Sequence, residues 1–550
     1  MKTTLQQLFK MKNAVKLYLF GTCYLMSISG YANNAQLTGL AKDLATKTVT
    51  CNVYWENSWR TATSPSNWDA VWVFVKFRTC GVAATTDWTH GIISTIIGDH
   101  TFGTLQPTTT TVEPQVIGAI DAAPNNTGVM LRRNADGSYP AEAATSITLK
   151  VTNLPAVGTM LDLKLFAIEM VFIPTATFTI GDPNSQAKWN TGTTIGSEAA
   201  ITISADAGAN NWPSQGYGTN STGVPLPANY PKGYNSMYCM KYELSEDQWC
   251  SFLNTITSAA APLHYSKMNW EAPANPFPYW YRNRTAAFGT YPNIFTTDRP
   301  NRAQNFLYYL NVLGYLDWAC LRPMTELDYE KICRGQNSPV DQEYAWGSTI
   351  AYQANVLSIT VPSEDGTEIV VGSNVPPNDA NATWANFTFT GGDGGQGPLR
   401  VGIFARPTST SRLQTGATYW GVMEMSGNVW EMVINTLKFD GANGGTACAG
   451  TQCTIKCDGT PYTGSNYTKA WGDGYINAIT GMHNVGAWPL GSNGVTGTAG
   501  YIDANGWEPY GYKGSGFYDA WNYMRVSERT QVYYGANNPY YVNRGGRGLR

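Results

Sequence analysis

The sequence predicts an α+β protein: a small antiparallel β-sandwich over residues 36–165, followed by a larger mixed domain over 168–550. Three observations point there. Strand-like runs fill the first part, as in "DAVWVFVKFR", "SITLKVTNL" and "LDLKLFAIEM". Helical patterning starts only after about residue 240. Beyond 336 turns and short strands dominate, with Gly-rich tracts at 391–397 and 441–500 that read as long loop insertions.

Composition narrows the class. A chain of 550 residues is long enough for two or three domains and a substantial core. Its net charge of -3 argues against a nucleic-acid binder, which carries a basic patch. With 14% charged and 13% aromatic residues it is also unlike a disordered chain. The abundance of Gly, Asn, Thr, Tyr and Trp fits a loop-rich extracytoplasmic protein.

The N-terminus fits that compartment. Lys10, Lys12 and Lys16 form a basic region, "LYLFGTCYLMSI" a short apolar one, and "SGYA" a cleavage site after Ala32. Residues 1–32 therefore read as a signal peptide, too short to span a bilayer. The expected location is secreted or cell-surface, periplasmic or extracellular. Cys23 follows Phe20-Gly21-Thr22, a poor lead-in to a lipid-modified cysteine. No later segment is apolar enough for a transmembrane helix.

Nine cysteines follow the cleavage site, and an oxidising compartment permits disulfides. Cys51 and Cys80 are candidates for a bridge within the sandwich. Cys448, Cys453 and Cys457 crowd one Gly/Thr-rich loop, where one further bridge is expected. Cys320 and Cys333 read as buried thiols. The four histidines, His90, His100, His264 and His483, are far apart in sequence, which argues against a histidine metal centre. His90 in "DWTHGIIS" reads as a packing residue.

Three helices are expected. "SEDQWCSFLNTI" opens with a capping box, Ser245 with Gln248 three residues on, and Trp249, Phe252, Leu253 and Ile256 make its apolar stripe. "RAQNFLYYLNVLGYLDWA" is the second. "TELDYEKICRG" is the third, with Thr325 as N-cap and Gly335 as its stop.

Six segments occur in a telling order: "EMVFIPTATFTIGD" (169–182), "KYELSEDQWCSFLN" (241–254), "CLRPMTELDYEKICRG" (320–335), "EYAWGS" (343–348), "GVMEMSGNVWEMV" (421–433) and "MRVSERT…GGRGLR" (524–550). Together they resemble the formylglycine-generating enzyme, or sulfatase-modifying factor, family. The resemblance covers residues from about 168 onward and implies a C-type-lectin-like fold. It does not by itself imply the activity. The family's enzymes use two copper-binding cysteines after a Lys/Arg-Gly-Gly-Ser lead-in, thiolates being the ligands that select Cu(I). Here the lead-in is Lys513-Gly514-Ser515-Gly516-Phe517, and the cysteine positions fall near Asp519 and Met524. No cysteine follows Cys457, so no copper is expected. Related iron enzymes carry histidines and a helical domain that this chain lacks.

The resemblance also implies two structural calcium sites, which need several oxygen ligands each. One maps onto side chains of Asn386 and Asp393 with carbonyls of Phe387 and Gly395. The other maps onto carboxylates of Glu424 and Glu431 with carbonyls of Gly427 and Val429. Glu424 is longer than the family's usual Asn or Asp. Trp430 between them reads as core, and Arg544, Arg547 and Arg550 read as partners for carboxylates.

The functional expectation is a non-catalytic binding or surface-assembly protein. Residues 505–543 are crowded with Tyr, Trp, Asn, Gly and Ser, the mixture of rigid contact area and adaptable polar groups used by paratopes. The recognition candidates are Tyr518, Asp519, Trp521, Asn522, Tyr523, Tyr533, Tyr534, Asn537 and Tyr540. The partner would be a protein or glycan at the cell surface, with a homo-oligomer as a further option. Three other readings stand beside this one. Gliding-motility and secretion components of the cell surface resemble the fold and also lack the cysteines. Retroelement-diversified ligand-binding proteins resemble the C-terminal arrangement. An enzyme of unrecognised chemistry would use Asp519, Arg525 and Glu528.

Overall fold

The computed structural model describes residues 35–81, 88–103, 112–116, 126–140, 143–182, 184, 187–189, 192–203, 205–207, 224–268, 282–283, 285–287, 294–354, 359, 368–370, 380–384, 397–406, 409–436, 467–468, 470–488, 510–532 and 543–550. The protein is mixed, with strands dominating over helices. The signal peptide expected at 1–32 lies outside the described residues.

Ten strands build the first part: β1 (Gln36–Asp43), β2 (Thr48–Tyr54), β3 (Ser58–Arg60), β4 (Asp69–Thr79), β5 (Thr89–His90), β6 (Val112–Val116), β7 (Val129–Arg133), β8 (Gly137–Tyr139), β9 (Thr145–Lys150) and β10 (Leu161–Ile173). Among the described residues they form two larger antiparallel sheets and a separate two-stranded one, β3-β8. Of the first two, the smaller has the order β1-β2-β9. The larger runs from the strand Met237–Met240 through β10, β4 and β7 to β6, with β5 added on β4. Alternation explains the core between them. In β2, Val49, Cys51 and Val53 point inward, and they meet Val71, Val73 and Val75 of β4 and Ile147 and Leu149 of β9. Each fully buried Val of this kind contributes about 1.5–3 kcal/mol.

β4 is buried on both faces from Asp69 to Phe77. Its other face, Ala70, Trp72 and Phe74, enters a second core with Trp249, Phe252, Leu316 and Trp318. Trp72 Nε1 donates to the Ala319 carbonyl at 3.0 Å. β10 pairs with β4 from Leu161 to Val171 and with Met237–Met240 from Met170 to Ile173. The boundary expected between 165 and 168 thus falls inside one continuous strand. The sandwich and the larger domain share a sheet.

The helices follow their capping chemistry. Helix α1 (Glu246–Leu253) has the Ser245–Gln248 capping box, Gln248 N donating to Ser245 Oγ and Ser245 N to Gln248 Oε1. α2 (Ala260–Met268) was not expected. Its first turn holds Pro262, and Thr257 Oγ1 accepts from Ala260 N at 3.1 Å. α3 spans Tyr309–Trp318, shorter than the pattern from 302 suggested. Residues 302–307 are instead drawn into long-range backbone bonds: Ala303 bridges Ser245, Gln304 N donates to Leu244 O, and Leu307 N donates to Arg544 O. α4 (Glu326–Arg334) starts at Thr325, whose Oγ1 accepts from Asp328 N, and ends at Gly335 with φ 66°.

A three-stranded sheet closes the molecule. Glu431–Ile434 lies between Met324–Thr325, parallel, and Tyr510–Lys513, antiparallel. The C-terminal residues dock beside Met237–Met240: Tyr238 and Arg550 exchange backbone bonds, and Leu549 does so with Arg322. Several buried charged side chains are paired, with Arg322–Asp328 at 2.7 Å, Arg334–Glu330 at 2.8 Å and Arg529–Glu326 at 2.6 Å. Removing one partner of such a pair strands the other charge and costs about 3–5 kcal/mol.

The bridge expected between Cys51 and Cys80 does not form. Both are free thiols. Cys51 faces the sandwich core from β2, opposite Ile147 of β9, while Cys80 follows β4 in the other sheet and contacts Asp162 Oδ1 at 3.7 Å. Cys448, Cys453 and Cys457 lie outside the described residues. Cys320 and Cys333 are buried thiols, as expected. His90 is buried and bonded, its Nε2 to the Thr127 carbonyl at 2.6 Å and its Nδ1 beside Lys76 Nζ at 3.2 Å. No described helix is long and apolar enough to cross a membrane.

Candidate functional site

The segment 513–532 leaves the strand Tyr510–Lys513 and is pinned onto the turn at 424–428. Gly427 N donates to Gly514 O, and Phe517 N to Asn428 O. Both sides use left-handed backbone: Glu424, Gly427 and Asn428 on one, Gly514 and Ser515 on the other. Gly514 is required there, since a Cβ would sit 2.7 Å from the Met425 carbonyl. Lys513 Nζ donates to the Glu528 carbonyl at 3.0 Å and lies over the Tyr329 ring. Burial pulls its ammonium below the usual lysine range.

On this base the chain presents two aromatics to solvent. Tyr518 is 46% exposed and Trp521 49%, and among the described residues they are the exposed aromatics; every other described Phe, Tyr or Trp is buried or half-buried. Arg525 stacks on the Trp521 ring at 5.0 Å. Asp519, Asn522 and Tyr523 between them are half-buried. Asp519 turns inward: its Oδ2 accepts from Trp430 Nε1 at 2.5 Å and from Asn543 Nδ2. Burial raises its pKa, and these two hydrogen bonds oppose that rise. Trp430 is thus both core and anchor. Tyr533, Tyr534, Asn537 and Tyr540 lie outside the described residues.

The two positions near which the resemblance would set the copper cysteines hold no thiol. Asp519 is tied down as above, and Met524 is fully buried, with its carbonyl accepting from Ser426 Oγ at 2.7 Å. Asp519, Arg525 and Glu528 each have a partner outside that trio. Arg525 serves Trp521, and Glu528 Oε1 accepts from Thr530 N at 2.9 Å.

Behind the turn lies a buried carboxylate centre. Glu431 Oε1 pairs with Arg547 Nε at 2.7 Å, and Arg547 also donates to the carbonyls of Met240 and Met423. Glu424 Oε1 accepts from Gly402 N at 2.8 Å. Glu243 Oε1 accepts from Val429 N at 3.0 Å, and its other oxygen from Asn428 Nδ2. Burial, followed by Glu431 and Glu424, pushes Glu243 well above the usual carboxylate range. Burial lifts Glu424 to about 7. Burial also raises Glu431, against Arg547.

The expected calcium ligands Glu424, Gly427, Val429 and Glu431 are therefore brought together at one turn, and sequence reading missed Glu243 beside them. The side chains offer only oxygen, the chemistry calcium prefers. Glu424 Oε2 and Glu431 Oε2 are buried without a hydrogen-bond partner among the described residues, which fits a hard cation. The described residues contain no group of three or more His, Cys, Asp or Glu arranged to hold a metal. Asn386, Phe387, Asp393 and Gly395, the other expected site, lie outside the described residues.

A second buried polar group also escaped sequence reading. Lys241, Asp69 and Glu169 meet across the larger sheet. A hint was present: Lys241 directly follows the apolar "MYCM", and Asp69 directly precedes "AVWVFV". Compared with known protein-family models the chain matches none, and no curated protein matches it.

Proposed function

We propose that this chain is an extracytoplasmic, non-catalytic binding protein on a scaffold like that of the formylglycine-generating enzymes, with Tyr518 and Trp521 as its contact residues. The observation that carries the reading is their exposure in a chain that hides its other described aromatics. They stand on a rigid base, held from behind by Trp430, Asn543 and the 424–428 turn. The non-catalytic part is supported by the inward-bonded Asp519 and buried Met524 at the two cysteine positions. The partner is a protein or glycan at the cell surface.

The test is capture on the purified chain of cell-surface proteins and arrayed glycans, followed by affinity measurement. Anchor aromatics at the centre of an interface are worth about 2 kcal/mol or more each. Tyr518→Ala and Trp521→Ala should each weaken binding by roughly 30-fold. Binding that survives both substitutions unchanged refutes the assignment.

Calcium belongs to the same proposal. Glu424 and Glu431, with the carbonyls of Gly427 and Val429, would hold the ion, and its charge would offset the buried carboxylates and stiffen the turn beneath 513–517. Free calcium at a hundredfold its Kd would add about 2.7 kcal/mol. EGTA should therefore lower the Tm; an unchanged Tm removes calcium from the account.

Surface assembly is the second reading. Ile96, Ile97, Val157 and Met160 of the sandwich are 62–74% exposed, a liability unless covered. Size-exclusion chromatography at rising concentration tests it, and a persistent monomer counts against it.

A further inference from the structure

Lys241, Asp69 and Glu169 form a closed triad inside the larger sheet. β10 carries Glu169, and the two strands flanking it bring in the other residues: Asp69 opens β4 opposite Val171, and Lys241 follows Met237–Met240 with its N–H on the Glu169 carbonyl. Lys241 Nζ lies 3.2 Å from Asp69 Oδ2 and 3.1 Å from Glu169 Oε2. All three side chains are 5% exposed or less. The rings of Trp59 and Tyr242 flank the ammonium at 5.1 and 5.4 Å. The other Asp69 oxygen, Oδ1, accepts from Ser58 Oγ at 2.6 Å and from Trp59 N at 3.0 Å.

An ion pair needs only some of this. Two donors on one carboxylate oxygen, an amine at the other and a second carboxylate on that amine are also the parts of an acyl-transfer site. The donors on Oδ1 polarise the carboxyl carbon and would hold the oxyanion of a tetrahedral intermediate. The amine is already in contact, so no approach from solution is needed. The rings and the sheet exclude water, which would otherwise favour the free acid and amine.

We propose that Lys241 and Asp69 condense into an amide cross-link, with Glu169 as the proton shuttle. Glu169 takes a proton from the ammonium, leaving a neutral amine. The lone pair of Nζ forms the bond to the Asp69 carboxyl carbon, and the π pair of the C–Oδ1 bond moves onto Oδ1, held by Ser58 and Trp59. Oδ1 then re-forms the carbonyl as the bond to Oδ2 breaks. Oδ2 departs as water with two protons that began on Nζ, one of them delivered by Glu169. One amide and one water result from one ammonium and one carboxylate, and Glu169 ends as it began. No oxidant, metal or cofactor enters. The link would tie residues 172 apart in sequence and join the two strands that flank β10.

The test is mass spectrometry of the purified, folded full chain. The expected result is a branched tryptic peptide containing residues 69 and 241, lighter than its two parts by one water and uncleaved at Lys241. Glu169→Gln should slow its formation on the order of 100-fold or more. Lys241→Arg, which retains a cation beside both carboxylates, should give only unlinked peptides. Folded wild-type chain that yields only unlinked peptides overturns the proposal. Equal linking in Glu169→Gln overturns the role given to Glu169.

Discussion

Replacing Trp430 by Phe tests how the exposed aromatic segment is held. The substitution keeps a ring in place and deletes one donor, Nε1, from Asp519 Oδ2. Asn543 remains as the second donor on that oxygen. A hydrogen bond to an ionised group is worth about 1.5–3 kcal/mol, and one between neutral groups about 0.5–1.5 kcal/mol. The cost therefore depends on the charge of Asp519. Its pKa in the folded chain is raised above 3.8, chiefly by burial, and Trp430 is the first of the hydrogen bonds that lower it. Losing that donor lifts the folded pKa further. A raised carboxyl pKa destabilises the fold as pH climbs through it and has no effect below the unfolded value. The gap between wild type and Trp430→Phe should thus be about 0.5–1.5 kcal/mol near pH 3 and widen to about 1.5–3 kcal/mol near pH 7. Loss of the smaller ring's packing adds a constant at both. Urea unfolding of the two chains at both pH values measures the gap, and a double-mutant cycle with Asp519→Asn isolates the pair. Hydrogen exchange should show faster opening at 518–523. Equal gaps at the two pH values, or simple additivity in the cycle, would refute the anchoring role.

Three further outcomes are expected. Ser245→Ala removes the N-cap of α1 and should lower stability by about 1 kcal/mol, seen as a lower urea midpoint at constant slope. Gly335→Ala places a Cβ 2.2 Å from Tyr419 at a backbone with φ 66°, so overpacking of about 1–3 kcal/mol adds to the strain, and a variant as stable as wild type would contradict the geometry. His90 is held well below 6.5 by burial and then by Lys76, with Arg550 also opposing its charge. Its stabilising effect is present above pH 6.5 and lost as pH falls toward the depressed value, at about 1.4 kcal/mol per pH unit. His90→Gln should remove that part of the slope in pH-dependent unfolding.

What the sequence disclosed follows the range of the forces involved. Ser245 with Gln248, and Thr325 with Gly335, are local devices, and both helices sit where those residues put them. The start of α3 is not legible locally, because residues 302–307 satisfy their backbone with Leu244, Arg544 and others far away, and such bonds leave no local pattern. α2 carries local signals of its own, Thr257 as a hydroxyl acceptor ahead of it and Pro262 in its first turn. Cysteine counting suggested a Cys51–Cys80 bridge, but which sheet each residue joins depends on pairing that no spacing encodes. At the candidate site the motif "MEMSGNVWEM" led to Glu424 and Glu431. Glu243 lies 181 residues before Glu424 and Arg547 116 residues after Glu431, and only the folded chain brings them together.

The shared strand bears on the order in which this chain can become structured. β10 finds its first neighbour in β4, already synthesised, and its second at Met237–Met240, still to come. When residue 173 emerges from the ribosome, Met170 to Ile173 lack their outer partner, and Trp72 and Phe74 have no helices to cover them. The β1-β2-β9 sheet can assemble early, but the larger sheet must wait with one apolar face open. A chaperone acting on this protein would find its binding surface there, and a fragment ending at 165 would keep that surface exposed for good.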